Sequence, residues 1–386
     1  MSAPAEPRAK PGGSFSRFRA VFIKEAIQLR RDRLTFAMMV MIPLMQLLLF
    51  GYAINTDPKS LPTAVLQLDD SAFARSFIGA MHATDYFAIE KTVHSEKELD
   101  DLFLSGAIQF AVQIPVDFGK KIMRGEKPAL LVIADATDPS ASGNAIAALQ
   151  QLPQTVFARD LEGAAAMREG QAPPFELRLH RRYNPAGETR FNIVPGLMGT
   201  ILTLTMLLFT GLSVTREVER GTMETLLSLP IRPVEIMLGK ISPYVVVGAV
   251  QMTIILTTSF LLFGVPIVGS LTLLLALTTL FIIANLAVGY TFSTIATSQL
   301  QAMQMSFFFF LPSMLLSGFM FPFRGMPVWA QYIGEILPLT HFLRVVRGIM
   351  LKGAGLWDLS HDVLALVAFV LVAMGVAVAR FRQTLD

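Results

Sequence analysis

The feature that most constrains this chain is a run of 83 consecutive residues, 241–323, that contains no Asp, Glu, Lys or Arg. A helix needs roughly 20 apolar residues to cross the hydrocarbon core of a bilayer, so this run is long enough for three crossings joined by two short turns. Turn-forming and polar residues divide it at suitable places, namely Gly264, Pro266 and Gly269, then Thr297, Ser298, Gln299 and Gln301. The sequence therefore predicts an integral membrane protein rather than a soluble enzyme.

Three further apolar stretches raise the predicted number of membrane helices to six. They cover residues 34–53, with Pro43 expected to kink the helix, 193–215 and about 363–379. We therefore expect an α-helical integral membrane protein with six transmembrane helices. The first helix, 34–54, is expected to follow a cytoplasmic tail, 1–33, and the other five to form the region 191–386.

The distribution of Lys and Arg predicts the orientation of the chain. The tail 1–33 holds eight of them against three acidic residues, and cytoplasmic segments carry such an excess. Six crossings return the C-terminus to the cytoplasm, where Arg380 and Arg382 flank the last helix. Apolar residues recur every three to four positions over 14–32, which indicates an amphipathic helix along the inner interface. A flexible basic tail is the alternative interpretation.

Residues 55–190 are long enough for one inserted domain, and this orientation puts it outside the cytoplasm. Apolar runs predict strands at 63–68, 108–114 and 129–133. Ser95 followed by Glu98 forms a capping box that opens a helix to about Ser105, and 141–168 is predicted as a longer helix. We thus expect a small extracytoplasmic α/β domain. No residue in it has the spacing of a catalytic or metal site, and its acidic pairs are expected to be solvated.

The segment 216–239 is predicted to be a cytoplasmic loop of mixed charge. Its charged residues, with one just beyond it, are Arg216, Glu217, Glu219, Arg220, Glu224, Arg232, Glu235 and Lys240. Mixed signs suit a protein surface better than a lipid surface. The alternative is that pairs such as Glu217 with Arg220 only solubilise the loop. A phosphate-binding loop is excluded because Lys240 is followed by Ile241 rather than Ser or Thr.

The segment 322–360 is predicted to lie at the outer membrane interface, where its two tryptophans, Trp329 and Trp357, favour the headgroup layer. Within it, residues 337–352 are predicted as a short interfacial or re-entrant helix. His341, Arg344 and Arg347 follow one stripe of that helix and most apolar residues the other. Two interpretations of the arginines stay open, contact with lipid headgroups and contact with substrate.

The predicted membrane helices contain no ionisable residue in their cores, and this bears on the energy source. A carrier driven by protons or sodium usually needs such groups at membrane depth. Neutral amides such as Gln251 and Asn285 more often hold helices together. We therefore expect the energy to come from a separate ATPase that docks on the cytoplasmic loop.

The basic tail with Lys24, Glu25, Leu29, Arg30, Arg31 and Asp32, together with the later loop, resembles an ABC transporter permease of the ABC-2 type. In that family Arg-Glu-x-Glu-x-Gly-Thr-x-Glu-x-Leu, here Arg216, Glu217, Glu219, Gly221, Thr222, Glu224 and Leu226, leads to Pro230, Glu235, Gly239, Lys240 and Pro243. The resemblance implies that this loop is a coupling helix seated on an ABC ATP-binding subunit. That subunit, and not this chain, would hold ATP and Mg.

The same resemblance implies a second permease chain, identical or related, and a place in the bacterial inner membrane among lipids. The large insert is similar to that of drug-efflux permeases that work with a periplasmic adaptor protein, which implies multidrug export. The rival hypothesis is a membrane receptor or assembly factor that uses the insert to bind a ligand or partner. Nucleic-acid binding is not expected because basic residues form no broad face.

Overall fold

The computed structural model describes residues 58–157, 173–221 and 233–380, apart from the side chains of 214, 218, 233–238 and 240. The predicted tail 1–33 and first membrane helix 34–54 lie outside the described residues, as do Thr222 and Glu224 of the predicted loop. The described residues belong to one compact unit, which spans Leu49–Asp386.

The first part of this unit is a five-stranded sheet with helices on both faces. Its strands are β1 (Leu61–Gln67), β2 (Phe87–Val93), β3 (Phe110–Ile114), β4 (Ala129–Asp135) and β5 (Glu176–Arg182). Their spatial order is β2-β1-β3-β4-β5, and all neighbouring pairs are parallel except the antiparallel pair β3 and β4. The intervening helices are α1 (Ala72–Ala83), α2 (Glu96–Leu104), α3 (Phe118–Met123) and α4 (Pro139–Thr155).

Apolar residues pack against both faces of this sheet. Val65 and Phe110 face one layer with α1, α3 and α4, whereas Ala64 and Ala111 face the other with α2. Strands covered on both faces read as continuous apolar runs, which is why the sequence predicts β1, β3 and β4. The edge strands β2 and β5 were not predicted, because their polar residues, such as Lys91 in β2, are exposed.

The predicted helix starts of the insert can be compared with their observed caps. Ser95 Oγ accepts a hydrogen bond from Glu98 N at 3.2 Å, so the predicted cap is confirmed. Glu98 Oε2 accepts from His94 N, one residue before the position that a full capping box uses. The predicted helix 141–168 begins earlier, at Pro139, because the Asp138 side chain caps it. The structure describes this helix to Thr155.

Long apolar helices form the second part of the unit. They are α5 (Thr189–Glu219), α6 (Pro233–Leu261), α7 (Leu271–Ile295), α8 (Gln299–Leu316) and α11 (Ser360–Arg380), with the shorter α9 (Val328–Ile336) and α10 (Pro338–Arg347) between the last two. Four segments of described helix are long and apolar enough to cross a membrane, namely Thr189–Glu217, Ile241–Leu261, Leu271–Ile295 and Ser360–Arg380. The helices α6, α7 and α8 occupy the charge-free run, but α8 is not among these four, so the three crossings predicted there and the count of six stay predictions.

Close backbone approach at glycines packs these helices, with α7 against α5, α6 and α11. A Cβ atom on Gly289 of α7 would lie 2.8 Å from the carbonyl oxygen of Leu207 in α5. The rings of Phe281 in α7 and Phe342 in α10 stack with centroids 4.0 Å apart. Small residues that let backbones approach are typical of membrane helix interfaces, where lipid removes the hydrophobic drive for association.

The sheet and the start of the mixed-charge segment, 216–221, lie at opposite ends of α5. A short connection, 183–188, leads from β5 to the start of α5, where Asn192 Nδ2 donates a hydrogen bond to Asp138 of the sheet part at 3.0 Å. At the far end of α5, Glu219 contacts the start of α8. A helix of this length spans roughly 45 Å at about 1.5 Å per residue. One continuous helix therefore connects the two ends.

Candidate functional site

The described part of the predicted coupling segment begins at the end of α5. Arg216, Glu219 and Arg220 are exposed there, and Gly221 has a φ of 70°, the left-handed conformation that commonly follows a helix end. The backbone of Glu235 and Lys240 is helical in α6, and their side chains are outside the described set. The structure thus fixes where the segment leaves and rejoins the helices.

Glu219 joins the end of α5 to the start of α8. Its carboxylate accepts a hydrogen bond from Gln299 N at 2.6 Å and another from Gln299 Nε2 at 2.5 Å. These hydrogen bonds to Gln299 lower the pKa of the Glu219 carboxyl. Ser298 caps the same turn by accepting from Gln301 N. One side chain at the start of the predicted coupling segment therefore links two helices.

At the opposite end of the helices, α9, α10 and α11 form an ion-pair network in which His341 and Asp362 are buried and Arg344 and Glu335 are about one-third exposed. His341 Nδ1 lies 2.7 Å from Asp362 Oδ1, and His341 Nε2 lies 2.8 Å from the Glu335 carbonyl oxygen. Arg344 donates to Glu335 Oε1 at 2.5 Å and Oε2 at 3.0 Å, and to Asp362 Oδ1 at 3.3 Å. The predicted stripe of α10 therefore holds neighbouring helices together through His341 and Arg344.

Burial and hydrogen bonding act on His341 in opposite directions. Burial, the largest single influence, lowers its pKa. The hydrogen bonds to Asp362 and to the Glu335 carbonyl, with the negative charge of Asp362, outweigh it, so the pKa of His341 lies above its ordinary value. The network thus favours a protonated His341.

His341, His361 and Asp362 also bring three metal-ligating atoms within 4.8 Å of one another. Both nitrogens of His341 are occupied by the hydrogen bonds just described, and the Arg344 guanidinium contacts the same oxygen of Asp362. A cation would have to displace Arg344 and break the hydrogen bonds of the His341 ring nitrogens. The chemistry of this cluster therefore fits an ion-pair network better than a metal site.

A second buried ion pair fastens the sheet to the helices. Lys352 belongs to a π-helical turn, Gly348–Lys352, that directly follows α10. Its Nζ lies 2.5 Å from Asp135 Oδ2 at the end of β4, and it donates to the Phe103 carbonyl of α2 at 3.1 Å. The side chains of Lys352 and Asp135 are only 10% and 7% exposed.

The comparisons with known proteins agree with the helical architecture. Residues 33–379 match the family described as ABC-2 family transporter protein. The chain belongs to this family. It is 32% identical over 381 residues to "Probable multidrug ABC transporter permease YbhS" of Escherichia coli (strain K12), an alignment that covers 97% of this chain and 98% of that protein.

Two more relatives of this ABC-2 permease come from the same strain. The chain is 27% identical to "Probable multidrug ABC transporter permease YbhR", with 96% of this chain and 99% of that protein covered. It is 30% identical to "Inner membrane transport permease YhhJ", with 84% and 86% covered. The permease resemblance that the sequence motifs indicate is confirmed.

The partners of the predicted site residues in this permease were missed by the sequence analysis. Glu335 and Asp362 neutralise His341 and Arg344, and Gln299 binds Glu219, 80 positions away. A cationic stripe inside an apolar segment is a signal that buried acids must be near, because unpaired buried charges are costly. It does not say which acids supply the charge.

Proposed function

We propose that this ABC-2 permease is the membrane subunit of an ATP-driven exporter for drugs or other amphipathic molecules. The observation that carries the proposal is its alignment, over 97% of its length, to a relative whose name reads probable multidrug permease. A separate ABC ATP-binding subunit would bind ATP and Mg and supply the energy. The permease itself would carry out no chemical step.

We assign the mixed-charge segment 216–239 to the cytoplasm and the sheet to the outer side of the inner membrane. The excess of Lys and Arg in 1–33 supports a cytoplasmic N-terminus. The separation of the sheet from Glu219 by the length of α5 supports opposite sides for the insert and the segment 216–239. Both termini would then be cytoplasmic, and the sheet would be available to a periplasmic adaptor protein.

The mechanism follows from the contacts at the two ends. Closure of the ATPase would move the segment 216–239, and Glu219 would pass that displacement to α5 and α8 together. At the other end, Asn192 of α5 contacts the sheet part. The permease would alternate between an inward-open and an outward-open arrangement, and these would differ at both ends of α5. ATP shifts the equilibrium only if its subunit binds the two arrangements with different affinity. A second permease chain, identical or related, would complete the pathway.

The experiment is to purify the tagged full-length permease from its native host in mild detergent and to identify a co-purifying ABC ATPase. We expect Glu224→Lys to reduce ATPase recovery, or substrate-stimulated hydrolysis, at least about tenfold, because reversing a charge opposes a complementary surface. Glu126→Lys, an exposed reversal in the sheet part, is the matched control and should leave both unchanged. Recovery of no ATPase in any of several detergents would contradict the proposal and favour a receptor or assembly factor.

Glu219 can be tested separately from Glu224, because the structure describes the contacts of Glu219. Gln299→Ala removes the hydrogen bond from Nε2 and keeps the one from the backbone N. If Glu219 acts by joining α5 to α8, this variant should lower stimulated hydrolysis, less than Glu219→Ala does, and leave ATPase recovery intact. Normal hydrolysis in Gln299→Ala, together with a loss in Glu219→Ala, would contradict that role.

A further inference from the structure

Both ring nitrogens of His341 face atoms that can only accept hydrogen bonds. Nδ1 lies 2.7 Å from the Asp362 carboxylate, and Nε2 lies 2.8 Å from the carbonyl oxygen of Glu335. A neutral imidazole carries only one N–H group, whereas the protonated ring carries two. The geometry is therefore satisfied in full only by a protonated His341, which donates one hydrogen bond to α9 and one to α11.

The charged groups around this ring come from α9, α10 and α11. Asp362 touches Nδ1, and a carboxylate oxygen of Glu335 lies 3.7 Å from Nε2. Arg344, one turn further along α10, is paired with both of these acids. The exposed His361 has its ring centroid 6.1 Å from that of His341. With His341 protonated, its charge and that of Arg344 balance those of the two carboxylates.

The other cations near α10 are engaged elsewhere. Arg347, the third residue of the predicted stripe, donates to the Gly318 carbonyl at 3.2 Å. Lys352, in the turn that follows α10, is paired with Asp135 of the sheet.

The remaining helices that pack against α10 bring no charge to the ring. α7 and α8 contain no Asp, Glu, Lys, Arg or His. Tyr290 of α7 lies nine residues beyond Phe281, the residue that stacks on α10, which is roughly 13 Å along the helix. α5 meets α10 at Gly199, and its charged residues lie near its ends, at Arg190 and within 216–219. His341 therefore responds to the network of α9, α10 and α11.

Loss of the proton would leave one ring nitrogen with a lone pair that faces an oxygen. A hydrogen bond to an ionised partner is the stronger of the two, so the neutral ring keeps its hydrogen on Nδ1, toward Asp362. Nε2 would then point its lone pair at the Glu335 carbonyl oxygen, and the two atoms would repel each other. Because Arg344 still holds the Glu335 carboxylate, the end of α9 would loosen rather than detach.

We propose that His341 is a proton-operated latch, which joins α9 to α10 and α11 when it is protonated and loosens the end of α9 when it is not. Glu335 and Asp362 also line a chamber of about 450 Å³ between the sheet and the helices, which gives water a path to the network. In the orientation assigned above, this end of the helices faces outward. The latch would therefore regulate export by the external pH, a consequence that rests on the proposed function.

The direction of the pH dependence follows from the environment of the ring. Burial lowers the pKa of His341, but the hydrogen bonds to Asp362 and the Glu335 carbonyl, with the charge of Asp362, outweigh it and raise the pKa above its ordinary value of 6.5. The stabilisation by the latch is thus fully present below that ordinary value and is lost as the pH rises through the higher pKa of the folded protein. Acidic surroundings close the latch and alkaline surroundings loosen it.

The chain has two tryptophans, and they report on the two sides of the latch separately. Trp329 lies in α9, and Trp357 lies in the turn before α11. The test titrates the tryptophan fluorescence of the purified full-length permease in neutral detergent from about pH 5 to about pH 9. No ATPase or nucleotide is present, so failure of this test is distinct from failure of export.

With Trp357→Phe, the emission of Trp329 should show a reversible transition on the alkaline side of the ordinary histidine pKa. With Trp329→Phe, the emission of Trp357 should show no such transition, because the neutral ring keeps its bond to Asp362. A flat titration of Trp329, or the same transition at Trp357, would overturn the proposal.

Two pairs of variants in the Trp357→Phe background assign the transition to His341. His341→Gln should abolish it, and His361→Gln, a change at the exposed neighbour, should preserve it. Asp362→Asn keeps the shape of the acid and should lower the proton affinity of His341 at least about tenfold, which moves the transition to lower pH. Asp358→Asn, in the same chamber but bonded to the Gly355 amide, should leave it in place. A transition that survives His341→Gln, or that Asp362→Asn does not move, would contradict the latch.

The titration of the ring itself gives a second measurement that does not depend on a variant at His341 being folded. The chain has five histidines, and ¹³C-labelled histidine resolves their ring signals in the NMR spectrum. The signal that shifts in Asp362→Asn should titrate together with the emission of Trp329. Separate midpoints for the two would overturn the proposal.

Discussion

Lys352→Met is expected to lower the free energy of unfolding of this permease by about 3–5 kcal/mol. The substitution keeps an unbranched side chain and leaves Asp135 Oδ2 as a buried carboxylate oxygen without its cation. It also removes the hydrogen bond from Lys352 Nζ to the Phe103 carbonyl. A titration of the solubilised protein with sodium dodecyl sulfate, followed by circular dichroism, measures the change.

A double-mutant cycle and an exposed pair serve as controls. Asp135→Asn in the Lys352→Met background removes the uncompensated charge, while its side-chain oxygen can still accept from Thr137, as Asp135 Oδ1 does. The double variant should therefore be more stable than the sum of the single losses predicts. Arg178→Met breaks the exposed pair with Glu176 and should cost far less, because water screens this pair. Equal losses at the two sites would contradict the burial of the Lys352 link.

Gly289→Leu is expected to destabilise the helices by about 3 kcal/mol and to reduce the yield of folded protein sharply. The first atom of the new side chain would meet the backbone of α5 at Leu207, which cannot move aside as a flexible side chain can. The two helices would have to separate and lose their packing, which is the main drive for their association in lipid. Thermal unfolding and the yield of monodisperse protein measure the effect.

Gly375→Leu in α11 is the matched control, because a Cβ atom there meets nothing within 4 Å and the residue is exposed. The unfolding midpoint should be unchanged or raised, since leucine favours a helix more than glycine does. A wild-type midpoint in Gly289→Leu would contradict the close approach of α5 and α7, and a large loss in Gly375→Leu would contradict the open surroundings of Gly375.

Much of the fold could be predicted from the sequence, because hydrophobic periodicity and helix caps are visible in it. Buried strands read as apolar runs, the Ser95 cap marked a helix start, and turn residues such as Pro266 separated the helices of the charge-free run. Edge strands such as β5 could not be predicted in this way, because the residues on their exposed face are polar and interrupt the apolar run. Lengths and starts of helices depend on such local signals.

The site could be predicted only in part, because its contacts join residues distant in the chain. The stripe of His341, Arg344 and Arg347 was visible from spacing alone, but nothing in that spacing selects Asp362 or separates the paired Arg344 from Arg347. Lys352 meets Asp135 across 217 positions. Such pairs are fixed by the packing of the sheet on the helices, which local patterns do not specify.

ATP-dependent export by the reconstituted complex tests the central proposal most directly. The permease and its co-purified ATPase would be inserted into vesicles, and the uptake of an amphipathic fluorescent drug would be measured in those with the ATPase outside. We predict accumulation that requires hydrolysable ATP and persists when a protonophore abolishes the proton gradient, because the predicted helix cores carry no proton relay. Uptake that is independent of ATP, or abolished by the protonophore, would contradict the account.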